Sequence, residues 1–136
     1  PKDTITVKVD RYTFDGVYKG GFEDEMVNSN AKPLYLVFDT SPGKYVITVS
    51  KPQCIARVYE IYLYKDDISF DVKITVPYDV NMDGVINVVD ATLVQKYIVG
   101  LEEFDDYTLK IADTNGDGTI SVIDATNIQK KIVNLL

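Results

Sequence analysis

Asp79, Asn81, Asp83, Asn87 and Asp90 occupy positions 1, 3, 5, 9 and 12 of the stretch DVNMDGVINVVD, with Gly84 at position 6. Asp113, Asn115, Asp117, Ser121 and Asp124 repeat this spacing in DTNGDGTISVID, around Gly118. Oxygen donors at this spacing suit a hard cation. In the first stretch Asp79, Asn81 and Asp83 offer side-chain oxygens and Val85 its carbonyl, while Asp90 closes the sphere with both carboxylate oxygens. Asn87 ligates through a water, and the glycine permits the sharp bend. Asp113, Asn115, Asp117, Thr119 and Asp124, with Ser121 at the water position, take these roles in the second. One such loop reads equally well as a solvated turn; two in register predict two bound calcium ions.

The elements around the loops depart from the usual EF-hand in two ways. Position 12 is Asp in both loops where that pattern has Glu. Aspartate is one methylene shorter, so the exiting helix must start closer to the ion. The segment before the first loop, Ile68 to Tyr78, alternates like a strand and contains Pro77, so no helix is expected to enter that loop.

The loops lie 34 residues apart, and Asp79 to Gly100 matches Asp113 to Asn134 at 13 of 22 positions. A helix-like run follows each. On a helix Ala91, Val94 and Ile98, and likewise Ala125, Ile128 and Ile132, share one face at spacings of three and four. These are the expected seam between two antiparallel helices. On another face Val88, Thr92, Gln95, Lys96 and Val99 are identical to Val122, Thr126, Gln129, Lys130 and Val133. Val89 differs only conservatively from Ile123. Threonine, glutamine and lysine are not core residues, so packing does not explain their retention. Recent duplication would, but Leu93/Asn127, Tyr97/Lys131 and Gly100/Asn134 have diverged, which favours a binding surface on the shared face.

Paired D-x-N-x-D-G-x-I-[NS]-x-x-D loops, each with its following helix, make residues 79–136 resemble a type I dockerin. The resemblance implies a calcium-dependent module that plugs its parent protein into a cohesin domain of a scaffoldin, in a cellulosome-type complex of an anaerobic bacterium. It further implies cohesin contacts at loop positions 10, 11, 17, 18 and 22: Val88, Val89, Gln95, Lys96 and Gly100, then Val122, Ile123, Gln129, Lys130 and Asn134. Thr92, Val99, Thr126 and Val133 complete the expected cohesin face. Val-Val and Val-Ile stand where the best-known members have Ser-Thr, which predicts a more apolar partner preference. The middle helix of a three-helix dockerin falls within Glu102 to Ala112, capped by Asp105 or Asp106, with Tyr107, Leu109 and Ile111 leading into the second loop.

Composition agrees with two small modules. The net charge of −7 divides unevenly: residues 79–136 carry ten acidic and four basic side chains, residues 1–78 eleven and ten. Two calcium ions would offset most of the self-repulsion of the acidic half, whose core is too small to hold without them. Such a surface excludes nucleic acid as a partner. No apolar run approaches the ~20 residues of a membrane span, so no membrane insertion is expected. Cys54 is alone and forms no disulfide within the chain. A start at Pro1 without a signal peptide is expected of a fragment of a longer secreted, extracellular protein.

Residues 1–77 alternate apolar and polar residues in five sets: Ile5, Val7 and Val9; Leu34, Leu36 and Phe38; Tyr45, Ile47 and Val49; Tyr59, Ile61 and Leu63; Phe70, Val72, Ile74 and Val76. Turn signals separate them at Asp15-Gly16, Gly20-Gly21, Ser41-Pro42-Gly43 and Lys65-Asp66-Asp67. The expected fold is an all-β sandwich (Ig-like or transthyretin-like) at 1–77 and an all-α three-helix dockerin at 78–136. The stretch SPGKYVITVSKP resembles carboxypeptidase-regulatory-like (transthyretin-like) modules, which often precede dockerins; an X module fits equally well. Only Tyr78 separates Pro77 from Asp79, so a structural companion without a flexible linker is expected, with Tyr78, Leu135 and Leu136 as apolar contacts. Carbohydrate binding is the alternative, since eight of the ten tyrosines lie within residues 1–78 and Tyr62 and Tyr64 share a strand face. Without His, and with the clustered carboxylates spoken for, no enzyme is expected.

Overall fold

Alternation at period two is realised where one face of a strand is buried. The structure, a computed structural model, describes residues 4–27, 41–65, 68–69 and 71–135. It divides into one unit of Pro1–Pro52 and Ala56–Ile74 and another of Gln53–Ile55 and Thr75–Leu136.

In the first unit β1 (Thr4–Tyr12), β2 (Tyr18–Val27), β3 (Gly43–Ser50) and β4 (Arg57–Leu63) form an antiparallel sheet in the order β2-β1-β3-β4. Val7, Val9, Tyr45, Ile47, Val49 and Leu63 are buried on one face, with Ile5, Met26, Tyr59, Ile61 and Ile74 packed against them. Each fully buried aliphatic side chain contributes about 1.5–3 kcal/mol. The expected sandwich is not what the described residues form: they give one open four-stranded sheet. The set Leu34, Leu36 and Phe38, with Asp66, Asp67 and Phe70, lies outside the described residues.

Two expectations about strands need correction. Gly20-Gly21 is not a turn but lies inside β2, a strand that alternation does not signal because it is mostly exposed. Gly21 pairs with Asp10 where the β1–β2 register shifts, and a Cβ there would stand 2.2 Å from the Val9 carbonyl oxygen. Only glycine lets the strands approach so closely. Conversely, residues 71–76 are not a strand. Side chains hold that segment instead: the Arg57 guanidinium donates to the Lys73 carbonyl at 2.9 Å, and the Lys73 N–H donates to the Tyr59 hydroxyl at 3.4 Å.

The second unit contains α1 (Val88–Ile98), α2 (Asp106–Ala112) and α3 (Val122–Ile132). Helices α1 and α3 pack together, with Ala91, Val94, Ala125 and Ile128 at most 1% exposed. The seam stops there: Ile98 and Ile132, expected in it, are exposed one turn later. Tyr107, Ile111 and Ala112 of α2 and Val80 of the first loop complete the buried set. Among the described residues no helix is long and apolar enough to cross a membrane.

Candidate calcium loops and the duplicated helix face

Each loop folds around its own carboxylates. Asp79 Oδ1 accepts the Asp83 N–H at 3.2 Å and Oδ2 the Gly84 N–H at 3.0 Å. Asp113 does the same for Asp117 at 3.2 Å and Gly118 at 2.9 Å. Asp83 accepts the Val85 N–H and Asp117 the Thr119 N–H, each at 2.9 Å. Asn81 and Asn115 each accept the N–H of position 5 at 3.2 Å. Gly84 and Gly118 sit at φ +84° and +80°, which the bend requires and glycine adopts without strain. At position 4 the second loop has Gly116 at φ +70°, but the first places Met82 at +57°.

The shorter acid at position 12 has a structural counterpart. Both exiting helices begin at position 10, so Asp90 and Asp124 lie inside the first helical turn. Asn87 and Ser121 are the N-caps, and each acid accepts its cap's N–H, at 2.9 and 2.8 Å, in a reciprocal capping box. The second oxygen of Asp90 accepts the Asn81 N–H at 3.1 Å, and that of Asp124 the Thr114 N–H at 2.9 Å. Both acids are fully buried. Burial pushes the Asp90 carboxyl above the ordinary carboxylate range; the Asn87 and Asn81 amides oppose this, and the negative charges of Asp79 and Asp83 add to it. Asp83, which is exposed, is held below that range, chiefly by the Val85 N–H.

In the second loop, carboxylate oxygens of Asp113, Asp117 and Asp124 all lie within 4.8 Å of one another. Three anionic oxygens converging so closely repel unless a cation sits among them, and an all-oxygen donor set fits calcium. The two loops differ in what precedes them. Asp113 is the C-cap of α2, its N–H donating to the Leu109 carbonyl at 3.0 Å. Among the described residues no helix precedes Asp79, in keeping with Pro77. Asp105 supplies the α2 cap, accepting the Thr108 N–H at 2.8 Å.

The shared face of the repeats is outward. Val88, Val89, Val99, Val122, Ile123 and Val133 are between 46% and 68% exposed, and Gln95, Lys96, Gln129 and Lys130 are exposed beside them. The hydroxyls of Thr92 and Thr126 donate to the Val88 and Val122 carbonyls, each at 2.9 Å.

The pairs that differ between the repeats have partners inside the unit, which sequence reading missed. Tyr97 stacks on Phe104 with ring centroids 4.6 Å apart, whereas the Lys131 ammonium lies 5.9 Å from the Tyr78 ring centroid. The Asn127 amide donates to the Thr114 hydroxyl at 3.1 Å, which in turn donates to Asp124; Leu93, its counterpart, is half-buried and makes no such polar tie. Gly100 at φ +79° and Asn134 at +59° both close Schellman motifs, with Leu101 and Leu135 N–H groups donating back to Lys96 and Lys130 at 2.8 and 2.7 Å. Position 22 is therefore restricted to residues that tolerate the left-handed region rather than free to drift. Of the apolar contacts expected at the chain's end, Leu135 is exposed and Leu136 lies outside the described residues.

Comparison with known families matches residues 77–133 to the model of the Dockerin type I domain. No curated protein and no solved structure matches the chain. Dockerin domains are non-catalytic, bind calcium and bind cohesin domains. Two calcium-type loops, three helices and this match make residues 77–133 a type I dockerin domain, preceded by a four-stranded antiparallel sheet.

Proposed function

We propose that the chain is a non-catalytic assembly module whose dockerin domain, loaded with two calcium ions, binds a cohesin and so attaches its parent protein to a scaffoldin in an extracellular polysaccharide-degrading complex. The observation that carries this reading is the duplicated face. Tyr97/Lys131 and Leu93/Asn127 have diverged, whereas exposed Val88, Gln95, Lys96 and Val99 and half-buried Thr92 recur unchanged as Val122, Gln129, Lys130, Val133 and Thr126. Exposed apolar residues flanking polar ones on a helix match the anatomy of a protein interface. Asp79, Asn81, Asp83, Val85 and Asp90 hold one calcium, and Asp113, Asn115, Asp117, Thr119 and Asp124 the other. Each ion offsets carboxylate repulsion and contributes folding free energy.

Because either repeat presents the face, the domain binds one cohesin at a time in either of two orientations. Val89→Asp alone weakens binding modestly, Ile123→Asp likewise, and the double variant severely, as calorimetry against a cohesin panel would read. If one single variant abolishes binding and the other does nothing, the partner uses one face only. If no cohesin binds the unsubstituted chain, the assembly reading fails.

For residues 1–77 the proposed role is that of a structural companion, supported by the absence of a Ser/Gly/Pro linker before Asp79. A carbohydrate-binding role has a specific observation behind it. Strand register sets Tyr18, Tyr12, Lys44 and Tyr62 in one row across all four strands, and exposed Phe14 stacks on exposed Tyr64 with centroids 5.0 Å apart. Aromatic faces with hydroxyls beside them suit pyranose rings. Affinity electrophoresis of the full chain through soluble polysaccharides separates the two roles: retardation abolished by Tyr62→Ala with Tyr64→Ala supports sugar binding, and unretarded migration supports the companion.

A further inference from the structure

The first calcium loop lacks the helix that leads into the second, so something else must hold its first ligand. Asp79 is fully buried, and the buried Thr75 hydroxyl donates to its Oδ2, the oxygen that also accepts the Gly84 N–H. Four residues before the second loop stands Leu109, within α2, which has no hydroxyl to offer Asp113. Thr75 is itself fixed on both sides of its backbone. Its N–H donates to the Tyr107 hydroxyl at 2.9 Å, and its carbonyl accepts the Ile55 N–H at 2.8 Å. The Tyr107 hydroxyl then donates to the Ile55 carbonyl at 2.7 Å. A closed polar circuit thus runs from α2 through Ile55 and Thr75 to the first ligand position. Thr75 and Ile55 lie outside residues 77–133, so the dockerin match does not cover them.

We propose that Thr75 and Tyr107 are positioning residues of the first calcium loop, replacing its missing entering helix: Thr75 holds the Asp79 carboxylate in its ligating orientation and Tyr107 holds Thr75. This rests on reading the loops as calcium sites. A hydrogen bond behind a ligating carboxylate tunes affinity by roughly 10–100-fold, and here it acts on one site of two.

The amides of Gly84 and Gly118 donate to Asp79 and Asp113, so their NMR resonances report the two sites separately during a calcium titration of the full chain. In Thr75→Val the calcium concentration at which Gly84 responds rises roughly tenfold or more, while that for Gly118 moves by less than about threefold. Thr75→Ser restores the Gly84 response, and Tyr107→Phe, which keeps the ring but removes the hydroxyl, shifts it in the same direction as Thr75→Val. Equal displacement of both glycines, an unmoved Gly84, or failure of Thr75→Ser to rescue overturns the proposal. If neither glycine responds to calcium in the unsubstituted chain, the calcium reading itself falls and takes the proposal with it.

Discussion

Gly100 and Asn134 show how one backbone demand limits what duplication can vary. Both residues sit one step beyond a helix C-cap with positive φ, where an L-residue with a Cβ is strained by about 1–2 kcal/mol. Glycine avoids that cost and asparagine lessens it. Gly100→Ala should therefore lower the stability of the calcium-loaded dockerin by about 1 kcal/mol, or about 4–8 °C in Tm. Asn134→Gly should be neutral to slightly stabilising, as thermal melts followed by circular dichroism would read. Equal losses from both substitutions would show that the caps matter for their side chains and not for their backbone. Asp90 and Asp124 carry a heavier load, because each buried carboxylate closes a capping box and also accepts an N–H from its own loop. A helix that starts two residues before position 12 makes room for the shorter acid there.

Among the elements, β2 depends most on a single residue. The strand buries little and is held mainly by its ladder to β1, which passes Gly21 where no Cβ fits. Gly21→Ala should force the strands apart there, destabilising the sheet by about 1–3 kcal/mol through overpacking against backbone. The dockerin helices should be unaffected. Urea unfolding followed by near-ultraviolet circular dichroism of the sheet tyrosines tests this, and an unchanged midpoint would show that the bulge absorbs the methyl. In the dockerin, α1 and α3 join through Ala91, Val94, Ala125 and Ile128, a seam of only two turns. So short a seam leaves the exposed Val/Gln/Lys face free for a partner, and it leaves little apolar burial to hold the helices without metal.

For the whole molecule, charge and burial are distributed differently in the two units. All six carboxylates of the calcium-type loops lie in the second, whose residues 79–136 carry ten acidic side chains against four basic ones. The sheet has an apolar core of its own and, among the described residues, no such cluster of carboxylates. Excess chelator should therefore abolish most helical ellipticity and leave the sheet resonances in place, since metal binding supplies folding free energy to one unit only. Asp90→Ala and Asp124→Ala should each act as partial chelation. Helicity unchanged in chelator would mean that the small core of the dockerin is sufficient alone.

Local chemistry was legible from the chain. Oxygen spacing within twelve residues marked both loops, because such a loop folds around its own near neighbours, whereas the Asn87 and Ser121 caps and the helix starts at position 10 came only with the structure. Helical periodicity likewise set Ala91, Val94, Ala125 and Ile128 of the seam apart from the duplicated face, but it also placed Ile98 and Ile132 in the seam, and these are exposed. Period two located β1, β3 and β4, whose inner faces are buried, but not β2, since a strand exposed on both faces has no reason to alternate. It also promised a strand at 71–76, where side chains of Arg57 and Tyr59 hold the segment instead. Tertiary structure alone decided the longer-range matters. Tyr107 meets Ile55 across 52 residues, Thr75 reaches Asp79, and Tyr97 and Lys131 choose different aromatic partners. Such contacts join residues whose own neighbours carry no trace of the partner, so only the folded chain brings them together.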